Sequence, residues 1–232
     1  MNLTPSNPLP NPIFPSILTT DYFNLESRLR SFETNGIEFI HLDVMDGHFV
    51  GNLSFGPSAV SAIKSKFSFR VDSHLMVDNP AKMIPRFIDA GSDWVSFHVE
   101  AVPKQAIPQT IDMVKQQDRK VGLVFNPDTP IEQAFDFLDS LDFILLMSVF
   151  PGYGGQPFIS STYKKVETLK ERIVADHCRT LIQVDGGVKL DNVGALKAAG
   201  ADLFVIGTFL YNSADIEKTL KSIRDKLNGA QS

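Results

Sequence analysis

The feature that most constrains this chain is an alternation: eight short apolar runs, each followed by a stretch with helical spacing, between residues 13 and 227. The runs cover 13–18, 37–43, 68–74, 94–98, 121–125, 143–149, 181–185 and 203–206. They are apolar at consecutive positions, as parallel strands covered on both faces are. The helical stretches cover 22–35, a segment beginning at Pro57, one beginning at Pro80 behind an Asn79 cap, 105–117, one from Thr129-Pro130 to 138, 162–175, 191–199 and 214–227. Asp21 suits the first cap, Gly36 suits its stop, and Pro85 predicts a kink or a late start in its helix. Parallel strands joined through helices make right-handed crossovers. Eight such units in a chain of this length predict an α/β protein with a single-domain (β/α)8 TIM barrel rather than an open, doubly wound sheet.

In a barrel the C-terminal strand ends share one rim, and that rim is where such folds place their chemistry. His41-Leu42-Asp43-Val44-Met45 closes the second run, and strand side chains alternate with a period of two, so His41, Asp43 and Met45 point one way. Ser16, His74, Met147 and Asp185 fall at the ends of runs one, three, six and seven. Burying imidazoles and carboxylates together is costly unless something compensates them. A cation does so, and His41, Asp43, His74 and Asp185 form a nitrogen and oxygen set suited to one divalent ion: Zn²⁺, Fe²⁺, Mn²⁺ or Co²⁺. His98 and Glu100 share a face at the end of run four, and they read as a supporting or loop contact. His48 and His177 read as loop and surface residues.

The loop Pro151-Gly152-Tyr153-Gly154-Gly155 offers main-chain N–H groups with few side chains in the way, a geometry that cradles phosphate. Gly186 and Gly187 follow strand seven, and Gly207 and Thr208 follow strand eight, where barrels often bind phosphate. The predicted phosphate loops are therefore those after strands 6, 7 and 8. Such amides would hold an anion in a chain whose net charge is -5. Asp43 and Asp185 reach the rim from strands two and seven. With a cation polarising a substrate carbonyl, one carboxylate can take a proton from a neighbouring carbon while the other returns one to the opposite face. Met45, Met76 and Met147 are candidates to line the space between as a polarizable wall.

Composition sets limits on the rest. A chain of 232 residues with 43% hydrophobic and 21% charged residues can bury one full core. No apolar run approaches the roughly 18 to 20 residues of a spanning helix, and the start lacks signal-peptide regions, so no membrane partner and a cytoplasmic location are expected. Without a Lys/Arg cluster, nucleic acid is not an expected partner. Residues 1–12, with Pro5, Pro8, Pro10 and Pro12, predict an extended arm, leaving 13–232 as the barrel domain. Cys178 is the one cysteine and has no internal disulfide partner.

Once these residues are placed, the chain resembles the ribulose-phosphate 3-epimerase family over nearly all its length after the first dozen residues. The stretches that carry the resemblance are S-I-L, H-L-D-V-M-D-G-H-F-V, D-S-H-L-M-V, H-V-E, N-P-D-T-P, L-M-S-V-F-P-G-Y-G-G-Q-P-F, V-D-G-G-V and I-G-T. The resemblance implies a metal-dependent exchange of D-ribulose 5-phosphate and D-xylulose 5-phosphate at C3 in the pentose phosphate pathway. It implies that His41, Asp43, His74 and Asp185 ligate the metal, with Asp43 as proton acceptor and Asp185 as proton donor. It also implies substrate contacts from Ser16, His74, the 152–155 turn, Gly186, Gly187, Gly207 and Thr208, and a homo-oligomer. Phe150, Tyr153, Thr208 and Gly51 depart from the family's usual Asn, Phe, Ser and Pro.

Rival readings keep the barrel. A hexulose 6-phosphate substrate, as in the related allulose-6-phosphate epimerases, keeps the mechanism and changes the sugar. Schiff-base aldolases need a lysine projecting from a strand, and none of the assigned runs contains one. The orotidine decarboxylase group carries D-x-K-x-x-D, whereas run two reads Asp43-Val44-Met45-Asp46. A barrel that only binds a sugar phosphate is the non-enzymatic reading.

Overall fold

The computed structural model describes residues 11–229, so positions 1–10 of the expected arm lie outside the described residues. Eight strands alternate with helices in one parallel sheet: β1 (Ile13–Pro15), β2 (Phe39–Met45), β3 (Arg70–Met76), β4 (Trp94–His98), β5 (Lys120–Phe125), β6 (Phe143–Met147), β7 (Leu181–Asp185) and β8 (Leu203–Ile206). The order is β1-β8-β7-β6-β5-β4-β3-β2, with every ladder parallel, which makes the predicted (β/α)8 barrel. Among the described residues no helix is long and apolar enough to cross a membrane.

The β1–β2 seam is the weakest closure, and the sequence explains why. Ser16 N–H and Phe204 N–H serve the β1–β8 side, bonding Ile206 O at 3.1 Å and Pro12 O at 2.9 Å. The groups that alternate toward β2 are those of Ile13, Pro15 and Ile17. Ile13 N–H donates to Asn11 Oδ1 at 3.2 Å and Pro15 has no N–H, so Ile17 N–H to His41 O at 3.3 Å closes the gap. A bridge between Ser16 and His41 marks the same place.

The helices are α1 (Leu25–Thr34), α2 (Pro57–Lys66), α3 (Pro80–Asp89), α4 (Ile107–Lys115), α5 (Thr162–Ala175), α6 (Val193–Ala199), α7 (Thr208–Tyr211) and α8 (Ile216–Gly229). The expected helix after Thr129-Pro130 is instead a 3-10 helix, Ile131–Ser140. Its buried residues Ile131, Ala134, Phe137 and Leu138 fall on one side in either kind of turn, so their spacing does not separate the two. α3 starts at Pro80 and continues through Pro85, so the late start is not seen; with little more than one turn before it, Pro85 forfeits one intrahelical bond. α7 has no counterpart among the expected helices. β5 begins one residue early at Lys120, whose exposed Nζ pairs with Asp142 at 2.7 Å at the end of the barrel away from the rim.

The two strand faces divide as a period of two requires. Ile40, Leu42, Val44, Val71, Leu75, Ile144, Leu146, Ile182 and Val184 pack outward under the helices. Inside, Phe14, Phe39, Trp94 and Phe143 fill the lower barrel, with ring centroids 4.4 to 5.6 Å apart. Gly122 makes room for that layer, since a Cβ there would lie 2.4 Å from the Phe143 ring. Aromatic residues thus support the inward-facing polar residues above them.

Candidate active site

Above the aromatic layer, β2, β3 and β7 turn His41, Asp43, His74 and Asp185 toward one point. Their nearest nitrogen and oxygen atoms all lie within 4.8 Å of one another. Strand register sets the neighbours: Asp43 pairs with His74 and Met45 with Met76 across β2 and β3, and Met147 pairs with Asp185 across β6 and β7. His41 and His74 are fully buried, Asp43 is nearly so, and the Asp185 side chain is 13% exposed to the cavity above. His41 Nε2 stands 3.4 Å from Asp43 Oδ1 and 3.8 Å from Asp185 Oδ2; His74 Nδ1 stands 3.3 and 3.8 Å from the same oxygens.

Each imidazole is held from behind. His41 Nδ1 bonds Asp72 Oδ2 at 2.8 Å, and Gln183 Nε2 donates to that same oxygen at 2.9 Å. His74 Nε2 lies 2.9 Å from His98 Nε2, and His98 Nδ1 lies 3.0 Å from Glu100 Oε2. Ser16 Oγ donates to Asp43 Oδ2 at 2.5 Å. Asp72 and Gln183 are the polar residues that sequence reasoning passed over. Asp72-Ser73-His74 carried a signal, because it repeats the spacing of His41-Leu42-Asp43.

The two carboxylates are driven in opposite directions. Burial alone would raise Asp43, but the charge of His41, with both imidazoles close by, outweighs it and holds the acid far below the usual carboxylate range. Asp185 is pushed up to about 7, by burial first and by the nearby charge of Asp43 second. Burial would lower His41, yet the Asp43 and Asp72 carboxylates raise it well above an ordinary imidazole. His74 is brought down to about 4 mainly by burial.

The residues fit a metal ion. His41 Nε2 is buried without a hydrogen-bond partner and points at two carboxylates, which suits the nitrogen of a metal ligand. The raised His41 shows the same demand from the electrostatic side: the pocket draws in positive charge, as a proton where no other cation is present.

The cavity over this cluster is lined by Ser16, Asp43, Met45, Met76, Met147, Asp185 and the loops after β6, β7 and β8. It therefore brings together Gly152, Tyr153, Gly154, Gly155, Gly186, Gly187, Gly207 and Thr208, and Met45, Met76 and Met147 line it too. Thr19, which sequence reasoning did not select, lines it as well and accepts from Thr208 Oγ1 at 3.3 Å. The glycines are required at the closest approach. A Cβ on Gly186 (φ 114°) would sit 2.6 Å from the Val149 side chain, and one on Gly187 (φ 62°) 3.0 Å from Phe158 N. Gln156 Nε2 ties the first loop by donating to Phe150 O and Tyr153 O, each at 2.7 Å. Among the described residues the main-chain N–H groups of Gly187 and Gly207 carry no bond, leaving them free for an anion. Phe150 and Tyr153 are exposed at the mouth, and Tyr153 Oη donates to Gly51 O at 3.4 Å, so two of the departures meet there. His48 and His177 are exposed loop residues, as expected.

Comparison with known proteins agrees with this arrangement. The family model described as the ribulose-phosphate 3 epimerase family matches residues 12–211. The ribulose-phosphate 3-epimerase of Buchnera aphidicola is 40% identical over 219 residues, 94% of this chain and 95% of that protein. That of Bacillus subtilis is 40% identical over 214 residues, 91% of this chain and 97% of that one. In fold alone, the chain is similar to 3-hexulose-6-phosphate synthase from Salmonella typhimurium at a TM-score of 0.70 and 15% identity, covering 94% of this chain and 99% of that one. The match over most of the sequence, with the rim residues inside it, establishes that this chain belongs to the ribulose-phosphate 3-epimerase family.

Proposed function

We propose that the protein interconverts D-ribulose 5-phosphate and D-xylulose 5-phosphate by moving a proton at C3, through a 2,3-enediolate. The observation that carries this reading is the four-residue cluster that brings two imidazoles and two carboxylates within 4.8 Å of one another, with the Asp43 acid driven down and the Asp185 acid driven up. Two acids whose ionisation is driven apart at one point are the signature of an acid and base pair.

His41, Asp43, His74 and Asp185 would hold one divalent cation, with Zn²⁺, Fe²⁺, Mn²⁺ and Co²⁺ all suited to the ligand types. Bound there, the cation would act as a Lewis acid toward the sugar's carbonyl and the enediolate oxygens. Asp43, ionised and oriented by Ser16 Oγ, takes the C3 proton from one face. Asp185, reaching in from β7, gives a proton to the other face. Roles exchange in the reverse direction. Met45, Met76 and Met147 enclose the reacting carbons and keep water from competing for the proton. The free amides of Gly187 and Gly207, with the 152–155 turn, receive the phosphate.

The test is to incubate ribulose 5-phosphate with the protein in D₂O and follow C3 by NMR. Deuterium entering at C3 as xylulose 5-phosphate accumulates is the expected result. Unchanged substrate in the presence of each of the four cations would reject the proposal.

A further inference from the structure

We propose that Glu100, acting through His98, fixes which nitrogen of His74 carries the proton, and so makes His74 Nδ1 a metal ligand. The inference rests on the function proposed above and adds positioning residues that lie outside the four-residue cluster.

Successive hydrogen bonds run in one direction from His74 to Glu100. Glu100 Oε1 accepts from Asn126 N at 2.9 Å and from Thr129 Oγ1, and Glu100 Oε2 faces His98 Nδ1 at 3.0 Å. These hydrogen bonds keep Glu100 a carboxylate, and a carboxylate only accepts. The proton in that contact therefore sits on His98 Nδ1. In a neutral imidazole the other nitrogen is then an acceptor, so His98 Nε2 receives its 2.9 Å bond from His74 Nε2–H. The two rings are 25° from parallel with centroids 5.0 Å apart, and a 2.9 Å nitrogen contact at that separation runs edge to edge, as a hydrogen bond must. His74 Nδ1 is left with a lone pair.

That lone pair faces Asp43 Oδ1 at 3.3 Å, a contact between two acceptors. Without a cation, the opposite tautomer would be favoured here, with His74 Nδ1–H donating to Asp43. Glu100 blocks it, because the alternative would leave His98 Nδ1 and the Glu100 carboxylate facing each other with no proton between them. The strain of two facing acceptors is thus placed where a cation relieves it, while the supporting chain His74–His98–Glu100 is fully satisfied. Lys165 Nζ, which bonds Asn126 O at 2.9 Å and Thr129 O at 2.7 Å, fixes the loop that in turn fixes Glu100.

Glu100→Gln is the discriminating variant. With its oxygen kept on Asn126 and Thr129, its amide donates to His98 Nδ1, and the whole chain can reverse. Long-range ¹H–¹⁵N correlation spectra of histidine in the metal-free wild type should show His74 with a bare Nδ1 and a protonated Nε2. In Glu100→Gln the two should exchange. Zn²⁺ affinity, measured by chelator competition, should fall about 10- to 100-fold. The metal-free variant should melt no lower than the metal-free wild type, whereas loss of a merely structural contact would lower it. A wild-type His74 protonated at Nδ1 overturns the proposal, and so does a variant that keeps wild-type Zn²⁺ affinity. The wild-type spectrum decides by itself if the variant does not fold. These readouts use no turnover: an active epimerase with the wrong tautomer sinks this relay alone, and an inactive protein with the assigned tautomer sinks the proposed function alone.

Discussion

At the scale of single residues, Asp43 and Asp185 share a cavity, a side-chain type and a cluster, yet their surroundings drive their ionisation in opposite directions. Asp43→Asn and Asp185→Asn are each expected to reduce epimerisation by at least about 10²- to 10⁴-fold, the usual worth of a positioned acid or base, while His177→Ala leaves turnover nearly unchanged. Steady-state rates on ribulose 5-phosphate check this. The raised Asp185 also makes cation binding pH-dependent. Asp185 is protonated below about 7, and a ligand must shed that proton. Zn²⁺ affinity should therefore rise as pH increases toward 7 and rise more slowly above it, with the proton held by His41 contributing at still higher pH. Titrations between pH 5.5 and 8 would show it; an affinity independent of pH would mean that Asp185 is already ionised in the free protein. His41, Asp43, His74 and Asp185 were legible in the sequence because each lies at or near the end of an apolar run. Glu100 was visible only as a neighbour of His98, since the partner that gives it meaning, His74, lies on another strand.

At the scale of elements, the strands deliver the site and their inner faces must match in size. Gly122 on β5 sits against the Phe143 ring of β6, so Gly122→Ala inserts a methyl where the nearest ring atom is 2.4 Å away. Overpacking of this kind costs about 1 to 3 kcal/mol, a fall in Tm of several degrees for a chain of this size. Calorimetry on the metal-free variant measures it, and an unchanged Tm would show that the Phe143 ring shifts freely. Most strand positions were readable from apolar runs, within two or three residues at their ends. The 3-10 helix Ile131–Ser140 was not, because a three-residue and a 3.6-residue turn place Ile131, Ala134, Phe137 and Leu138 on nearly the same side.

At the scale of the whole molecule, β2, β3 and β7 each supply ligand atoms to one point, so a bound cation ties distant parts of the chain together. A ligand that binds only the folded state at about 100 times its Kd stabilises it by about 2.7 kcal/mol. Adding Zn²⁺ to chelator-treated protein should raise Tm by several degrees, and the same addition to Asp185→Asn should give a much smaller rise. Equal shifts in both would place the binding elsewhere. The β1–β2 seam is the complementary weak point: with Pro15 unable to donate and Ile13 committed to Asn11, it is where the cylinder has fewest main-chain bonds.

The order of the eight strands, the barrel, the inward face of β2 and the four residues of the cluster followed from the sequence alone, because strand alternation and the βα repeat are local, periodic properties of a chain. Which acid is ionised, which imidazole nitrogen faces the pocket, and that Thr19, Asp72 and Gln183 belong to the site were decided only by tertiary structure. Those properties depend on burial and on hydrogen-bond partners 24 to 189 residues apart in the chain, and no local pattern records them.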